Sequence, residues 1–300
     1  MTDPLTEVVT LLQPRARYSK IVHCAGDWRV RRSETGQTFY CVVLQGSCCI
    51  EVAGQDTIVL QQNDFVMIPA AYDYSVFSLG LACDDPLESM PTALANGDFR
   101  VGSADLPADV VNLIGHCECD SSDAALLVSL LPQLIHVRGE QRLTTLVQLV
   151  GDESRERRPA REVILERLLE VLFIEALRST GDPTQSPGLL RGLADERLAA
   201  ALRQMHASPT HPWTIAQLAR EAALSRSAFF ERFNRALGIP PMAYLLAWRM
   251  ALAKNLFRRH EGGVAEVAQR VGYSSASAFS VAFTRYVGVA PGRYARGAFT

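Results

Sequence analysis

SRSAFFERFNRALGIPPMAY at residues 225–244 returns, fifty positions later, as SASAFSVAFTRYVGVAPGRY at residues 275–294. Nine of the twenty paired positions are identical, and they include two phenylalanines, one arginine, one glycine, one proline and one tyrosine. A repeat that keeps its apolar positions over such an interval indicates a duplicated folding unit.

Each copy follows a short amphipathic segment, TIAQLAREAA at 214–223 or VAEVAQRVG at 264–272, whose apolar residues have helical spacing. Ser225 and Ser275 stand where the N-cap of a second helix should accept from its free amides. Gly238 and Gly288 stand at the corresponding C-cap position. The pattern therefore predicts two helix-turn-helix units.

The buried phenylalanines of each second helix define its outer face, because a helix has 3.6 residues per turn. That face, with Arg226 at its start, supplies the candidate DNA-binding residues Ser227, Phe230, Glu231 and Asn234, then Ser277, Ser280, Val281 and Thr284. These side chains either meet base edges in a major groove or form only the solvated side of a three-helix bundle. Two copies favour DNA binding.

The stretch MAYLLAWRMALAKNLFRR predicts one long helix from Met242 to Arg259. This helix is apolar nearly all round and should hold the two units rigidly apart.

Charge is unevenly distributed along the chain. Residues 190–300 carry 15 Lys and Arg against 6 Asp and Glu, a net +9, whereas residues 1–189 carry 15 against 26, a net −11. A basic C-terminal part indicates a phosphate-backbone partner. The candidate phosphate contacts are Arg226, Arg232, Arg235, Lys254, Arg258, Arg259 and Arg285.

Residues 20–82 consist of short β-branched or aromatic segments separated by Gly, Asn or Asp, which predicts a small barrel or jelly roll. From about Ala124 the sequence pattern predicts helices. Its last segment, 161–179, is apolar on more than one face, so it either packs only on the barrel or also packs on its twin in a homodimer, which we favour. STGDPTQSPG at 179–188 has the composition of a linker.

The chain resembles the AraC/XylS-type transcription regulators over about residues 195–296. The resemblance is carried by GYSSASAFSVAF at 272–283, by the ending GVAPGRY at 288–294 and by Trp248-Arg249-Met250. FYCVVLQGSCCIEV at 39–52, followed by NDFVMIPA at 63–70, resembles the cupin-type sensor that often precedes this module. The predicted architecture is a multidomain α+β chain. It has a cupin-like β-barrel and a helical dimerisation segment over 1–180, a linker at 181–190, and an all-α domain of two helix-turn-helix units over 191–300.

The resemblance places base-reading positions at Ser227, Phe230, Glu231, Ala276, Ser277 and Val281. Small or apolar residues form no bidentate pairs with bases, so we expect the second unit to read DNA shape and phosphate more than sequence. Glu231 either accepts from a cytosine amine or pairs with Arg235 one helical turn later.

The places of the cupin metal histidines are occupied by Phe39, Tyr40 and residues 71–73, so we predict neither an enzyme nor a bound metal or cofactor. A cupin enzyme with a DNA-binding appendage is the disfavoured alternative. Neither a membrane span nor a signal peptide is indicated, which predicts a cytoplasmic protein.

All seven cysteines lie in the first 119 residues, and their odd number and the reducing compartment argue against a disulfide framework. Three interpretations stay open for Cys24, Cys117 and Cys119: inert packing, thiol-based sensing, or soft ligands for a sensed metal. The predicted function is a dimeric transcription regulator, an activator by resemblance, that acts on promoter DNA and RNA polymerase in response to an unknown small molecule or thiol-reactive signal.

Overall fold

The computed structural model describes residues 3–12, 14–33, 37–69, 73–82, 85–119, 128, 130–156, 158–179 and 188–297, with the backbone alone at 15–17, 118 and 119. The chain divides into two compact units. The strand-rich unit takes residues 13–120 and 132–181, and the helical unit takes residues 1–12, 121–131 and 182–300.

The described strands all belong to the strand-rich unit. They are β1 Pro14–Ala25, β2 Arg29–Arg32, β3 Gln37–Gln45, β4 Ser47–Val52, β5 Ile58–Gln61, β6 Phe65–Ile68, β7 Tyr74–Ser78, β8 Thr92–Ala93, β9 Phe99–Gly102, β10 Val110–Cys119 and β11 Ile135–Val137. They form a seven-stranded sheet in the order β11-β6-β3-β10-β1-β9-β8 and a four-stranded sheet in the order β2-β7-β4-β5. All pairs are antiparallel except β1 with β9.

One apolar core lies between the two sheets. Phe39, Cys41 and Val43 from β3 meet Cys48, Ile50 and Val52 from β4 in this core. The alternation of inward and outward residues follows from the pleat, which turns successive side chains to opposite faces. The cupin-like, mostly β architecture is thus confirmed, with the described strand pairs arranged as two facing sheets rather than as one closed barrel.

Two helices, α2 Gln141–Arg155 and α3 Arg161–Arg178, pack on each other and on β1. Leu165, Leu169 and Leu172 of α3 are buried on one face. The opposite face leaves Val163 58% and Val171 41% exposed. The predicted second apolar face of residues 161–179 is therefore present and uncovered in the single chain.

Nine helices form the described helical unit. They are α1 Pro4–Leu12, α4 Leu189–Ala194, α5 Glu196–Ala207, α6 Ile215–Glu221, α7 Arg226–Leu237, α8 Pro241–Arg258, α9 Val264–Arg270, α10 Ala276–Val287 and α11 Pro291–Ala295. The predicted linking helix over 242–259 is α8, which begins with a proline at its first position, where the missing N–H leaves no unpaired donor.

Helix α1 belongs to the helical unit although it lies at the start of the chain. Its apolar face buries Val8, Val9 and Leu12 completely and packs against α5 and α8. These contacts group the described residues of α1 with the helical unit, and the N-terminal domain predicted over 1–180 stays a prediction. The predicted linker and domain boundaries between 180 and 191 stay predictions.

No single helix of the described residues is long and apolar enough to cross a membrane. Helices α7 and α8 meet that criterion of length and composition only as a pair, bent by 56°.

Replacing Phe279 by alanine should destabilise the second helix-turn-helix unit by about 3–5 kcal/mol, because the ring is fully buried and its removal leaves a cavity. The free energy of unfolding in urea, followed by far-ultraviolet circular dichroism, measures this loss. Val281→Ala on the same helix is the control and should change it by less than about 0.5 kcal/mol, since Val281 is 71% exposed. Equal effects of the two changes would contradict the burial of Phe279.

Candidate nucleic-acid interface

The first helix-turn-helix unit is built by α6 and α7. Thr214 and Gln217 form a reciprocal capping box at the start of α6. The turn places Ala223 at a φ of 50°, and Leu224 N then donates to Ala219 O over 2.9 Å. Ser225 caps α7 by accepting from Ala228 N at 3.3 Å.

The second unit repeats this geometry with α9 and α10. The turn residue is Gly272, with a φ of 87°, and Tyr273 N donates to Ala268 O over 2.9 Å. A side chain at Gly272 would meet Pro209 O and Thr210 Cα at 2.8 Å, so only glycine fits this left-handed position. Ser275 accepts from Ala278 N at 3.1 Å. The two units therefore share their helix caps and turn geometry as well as their buried apolar positions.

Helix α8 contributes to the cores of both units. Near its start, the Tyr244 ring lies 5.8 Å from the ring of Phe233 in the first unit. Near its end, the Phe257 ring lies 5.7 Å from the ring of Phe283 in the second unit. Because one helix is buried in both cores, the two units are joined by packed structure rather than by a flexible link.

The predicted base-reading residues lie on the outer faces of α7 and α10. Arg226, Ser227, Phe230, Glu231 and Asn234 are all exposed on α7, with Phe230 at 43%. On α10, Ser277, Val281 and Thr284 are exposed, and Ala276 and Ser280 are half-buried. Phe230 and Val281 are therefore open to contact with a partner at these faces.

The serine hydroxyls form the same pair in each unit. Ser225 Oγ lies 3.4 Å from Ser227 Oγ, and Ser275 Oγ lies 3.2 Å from Ser277 Oγ. This contact orients each outer serine at the amino end of its helix, where the helix dipole favours a negatively charged partner. Ser280 Oγ instead donates to Ala276 O at 2.7 Å, so the Ser280 proton is already used within the helix.

The surroundings of Glu231 bear on its two interpretations, both of which stay predictions. In the part of the chain that the structure describes, no ion pair joins Glu231 to Arg235, although both are exposed on α7. Glu231 instead borders a groove with Ile215, Ser227 and Phe230. The carboxylate can therefore accept from a cytosine amine without breaking an ion pair.

The predicted phosphate contacts fall into three groups. Arg226, Arg235 and Arg285 are exposed. Arg232 is half-exposed and paired with Asp195, the N-cap of α5, which uses part of its charge. Arg258 is half-buried near the end of α8, next to the exposed Arg259.

Lys254 is not a phosphate contact, contrary to the prediction. Its side chain is only 1% exposed, and Nζ lies 5.6 Å from the centre of the Tyr294 ring. The reason is that α8 is buried on nearly all sides, so its polar positions also face protein. The lysine stem packs with apolar neighbours, and the ammonium meets an aromatic ring rather than solvent.

A buried polar network in the helical unit has no counterpart in the sequence analysis. His206 Nδ1 lies 2.6 Å from Glu7 Oε2, and His206 Nε2 lies 2.6 Å from the Tyr244 hydroxyl. The ring also stacks on Trp248 at 3.9 Å. Burial lowers the pKa of His206, despite the opposing effect of Glu7. A neutral imidazole donates to Glu7 and accepts from Tyr244, so one residue ties α1 to α5 and α8. Short-range sequence patterns cannot predict this contact, because Glu7 and His206 are 199 positions apart.

The strand-rich unit holds a cavity of about 50 Å³ between its two sheets. Its lining is mainly apolar but includes Lys20, Arg32, Asn112 and the Trp28 indole. These four residues were not predicted from the sequence. Alternation along β1 and β10 could have placed Lys20 and Asn112 on the inner face, but only the register shows that they share a cavity.

The candidate sensing cysteines do not meet. Cys24 is opposite Val110 and Cys117 is opposite Ala16, so they lie at opposite ends of the paired strands β1 and β10. Burial raises the pKa of the Cys24 thiol to about 12, and a reactive thiolate needs a lowered pKa. The side chain of Cys119 and all of Cys83 lie outside the described residues. Thiol sensing at Cys24, Cys117 and Cys119 stays a prediction, but Cys24 cannot complete a site with Cys117.

Metal binding finds no support in the described residues. Within them, no group of three His, Cys, Asp or Glu side chains stands in a position to hold a metal ion. The predicted replacements at 71 and 72 lie outside the described residues, and Phe39 is a core residue.

Two family models match the chain. A cupin model matches residues 3–182, and a helix-turn-helix domain model matches residues 218–297. A putative AraC-like transcription regulator of Streptomyces lividans is 33% identical over 97% of both chains. The HTH-type transcriptional regulator AlkR of Acinetobacter baylyi is 27% identical over 91% of this chain and 92% of its own. The RCS-specific HTH-type transcriptional activator RclR of Escherichia coli is 24% identical over 97% and 96%.

These matches extend over both units, and the helix-turn-helix match covers the two capped helices described above. The chain belongs to the AraC-like transcription regulators, with a cupin domain followed by a helix-turn-helix DNA-binding domain.

Proposed function

We propose that the outer faces of α7 and α10 read a promoter in two successive segments of the major groove. The supporting observation is the repeated geometry: each helix starts at a capping serine, pairs that serine with a second hydroxyl, and exposes a large apolar residue. Helix α8 is buried in both cores, so the pair would engage one side of a duplex, with about 34 Å between groove segments.

The two faces differ chemically, so we propose different roles for them. The α7 face offers a free carboxylate at Glu231 and an amide at Asn234, which can select bases through hydrogen bonds. The α10 face offers Val281, Thr284 and hydroxyls, which suit a thymine methyl and phosphate oxygens. The first unit would then carry most of the direct base recognition, and the second would depend more on DNA shape.

We further propose that the protein acts as a homodimer through the uncovered face of α3. Val163, Ile164 and Val171 lie on that face, and Leu149 of α2 is 47% exposed. A second copy of the chain offers the same apolar face, so a two-fold contact would cover both. In this proposal a small molecule bound in the cupin domain shifts how a dimer presents its DNA-binding units.

Activation, through contact with RNA polymerase in the cytoplasm, is the direction that we propose. It is supported by the family resemblance and by the name of the Escherichia coli relative RclR, a transcriptional activator. The DNA-binding half is basic and the rest of the chain is acidic. Only the basic half would therefore approach the phosphates of DNA, which leaves the acidic part free of it.

Substitutions on the outer face of α7 should change which DNA sequence the protein prefers. Selection of bound duplexes from a random pool by the purified full-length protein gives the operator, and fluorescence anisotropy gives affinities for its single-base variants. Glu231→Gln should relax the preference for one cytosine by about 1–3 kcal/mol while leaving folding intact. Glu221→Gln, an exposed change at the end of α6, is the control. An unchanged base preference for Glu231→Gln would refute direct readout by this residue.

Salt dependence should identify the true phosphate contacts. If about six arginines contact phosphate, the logarithm of the binding constant should fall with the logarithm of salt at a slope near −5. Arg285→Ala should make that slope shallower by about 1, whereas Lys254→Met should leave it unchanged because the ammonium is buried. The reverse outcome, a change for Lys254→Met alone, would place Lys254 on the DNA and contradict its burial.

Dimer formation should depend on α3. The double change Val163→Glu and Val171→Glu places charge on the uncovered apolar face and should convert a dimer into a monomer in sedimentation equilibrium. Met90→Glu, at a residue that is 74% exposed elsewhere in the strand-rich unit, should leave the dimer intact. A dimer that survives the double change would rule out this face as the interface.

A further inference from the structure

The groove between α6 and α7 combines an apolar wall with a carboxylate. Ile215 and Phe230 line it together with Arg226, Ser227 and Glu231. Ile215 is half-buried at the first position of α6, and Phe230 is 43% exposed on α7. Both helices of the first unit therefore contribute to this groove, and not α7 alone.

Helical spacing places the α7 residues of the groove in two adjacent rows. Ser227 and Glu231 are four residues apart and form one row, and Arg226 and Phe230 form the next. A group that enters the groove therefore meets the Glu231 carboxylate and the Phe230 ring side by side.

The exposed carboxylate of Glu231 restricts which base can lie against it. In the major groove cytosine presents an amine donor, whereas thymine and guanine present carbonyl acceptors, which repel a carboxylate. Adenine presents its amine next to the N7 acceptor, so its edge is less favourable than that of cytosine. The polar side of the groove therefore selects cytosine.

The apolar wall beside the carboxylate calls for an apolar group on the DNA. Thymine supplies one, because its 5-methyl group projects into the major groove, where a phenylalanine ring can contact it. Successive bases of one strand are about 3.4 Å apart along the helix axis, so a thymine next to the cytosine brings its methyl close to the cytosine amine. The groove has a volume of about 560 Å³, which accommodates both groups.

The second unit lacks this combination. Its helix α10 carries Ser280 and Val281 fifty positions after Phe230 and Glu231. Valine accepts no hydrogen bond and serine has no ring, so the second unit cannot make the same pair of contacts. The combined contact belongs to the first unit only.

We infer that the groove between α6 and α7 binds a cytosine with an adjacent thymine on the same strand. The cytosine amine donates to Glu231, and the thymine methyl lies against Phe230 and Ile215. Ile215 is thus a specificity-determining residue contributed by the first helix of the unit. This inference rests on the proposed function, because it requires α7 in the major groove, and it names the base step that one half of the operator contains.

Replacing thymine by uracil tests the contact, because it removes the methyl group and changes nothing else on the base. The operator selected from a random pool supplies the duplexes, and fluorescence anisotropy with the full-length protein measures their affinities. Uracil beside the cytosine that Glu231 reads should weaken binding about fourfold, which corresponds to about 0.8 kcal/mol for one buried CH₂ or methyl group. Uracil at a thymine outside the two groove segments should leave the affinity unchanged.

Substitutions on the two sides of the groove should have separable effects. Phe230→Ala should remove the preference for thymine over uracil and keep the preference for the neighbouring cytosine, whereas Glu231→Gln should do the reverse. Ile215→Ala should lower the thymine preference. Met242→Ala is the matched control, since Met242 is 39% exposed in the same unit of the chain but does not line the groove, and it should change neither preference.

Circular dichroism checks that each variant folds. If Ile215→Ala does not fold, Phe230→Ala still tests the apolar wall, because Phe230 is exposed. Equal affinity of the unchanged protein for thymine and uracil, or a thymine preference that survives Phe230→Ala, would overturn the inference. Recovery of the uracil duplex by 5-methylation of the cytosine would assign the methyl contact to the other base and would also overturn it.

The same measurements separate this inference from the proposed function. A protein that selects no operator would reject the base-reading proposal and this inference with it. A cytosine preference that depends on Glu231, together with equal affinity for thymine and uracil, would reject the methyl contact and leave the base-reading proposal standing.

Discussion

The burial of α8 on nearly all sides is the constraint on which the DNA-binding half depends. Helix α8 supplies Tyr244 and Trp248 to the first unit and Met250, Ala253 and Phe257 to the second, all of them buried. A helix that is apolar all round has no stable existence in water, so neither unit can leave it without exposing its core. Two recognition helices held in this way have a fixed spacing and orientation, which is what binding to two segments of one groove face requires.

The same constraint explains why charge on α8 is a poor guide to DNA contact. Lys254 is a basic residue in a basic domain, yet it lies under the Tyr294 ring in the core of the second unit. Burying an ammonium is costly unless it finds a compensating contact, and an aromatic face provides one. The predicted phosphate contacts on α7 and α10 are exposed, because the buried phenylalanines fix the outward direction there, and Arg259 is exposed just after the end of α8.

Local patterns predicted those parts of the structure that local physics determines. Ser225, Gly238, Ser275 and Gly288 cap the helices as expected, because capping depends on residues three or four positions apart. Pairings distant in sequence were beyond such reasoning. Glu7 meets His206 across 199 positions, and this contact joins the first helix to the helical unit. The surroundings of the inner face of β1 could not be predicted either. Alternation along one strand does not show which strand lies opposite Lys20 or what fills the space between the two sheets.

The contrast between the cysteines and their neighbours bears on what the cupin domain senses. Cys24, Cys41 and Cys48 are buried, and burial raises the pKa of each thiol, which disfavours the reactive thiolate. Trp28 and Asn112 lie beside the same core, where Trp28 Nε1 and Asn112 Oδ1 have no hydrogen-bond partner among the described residues. Apolar side chains would fill these positions at lower cost if packing were their only role. Cys24 and Cys41 therefore contribute small apolar surface to the wall of the cavity, which Trp28 and Asn112 also line.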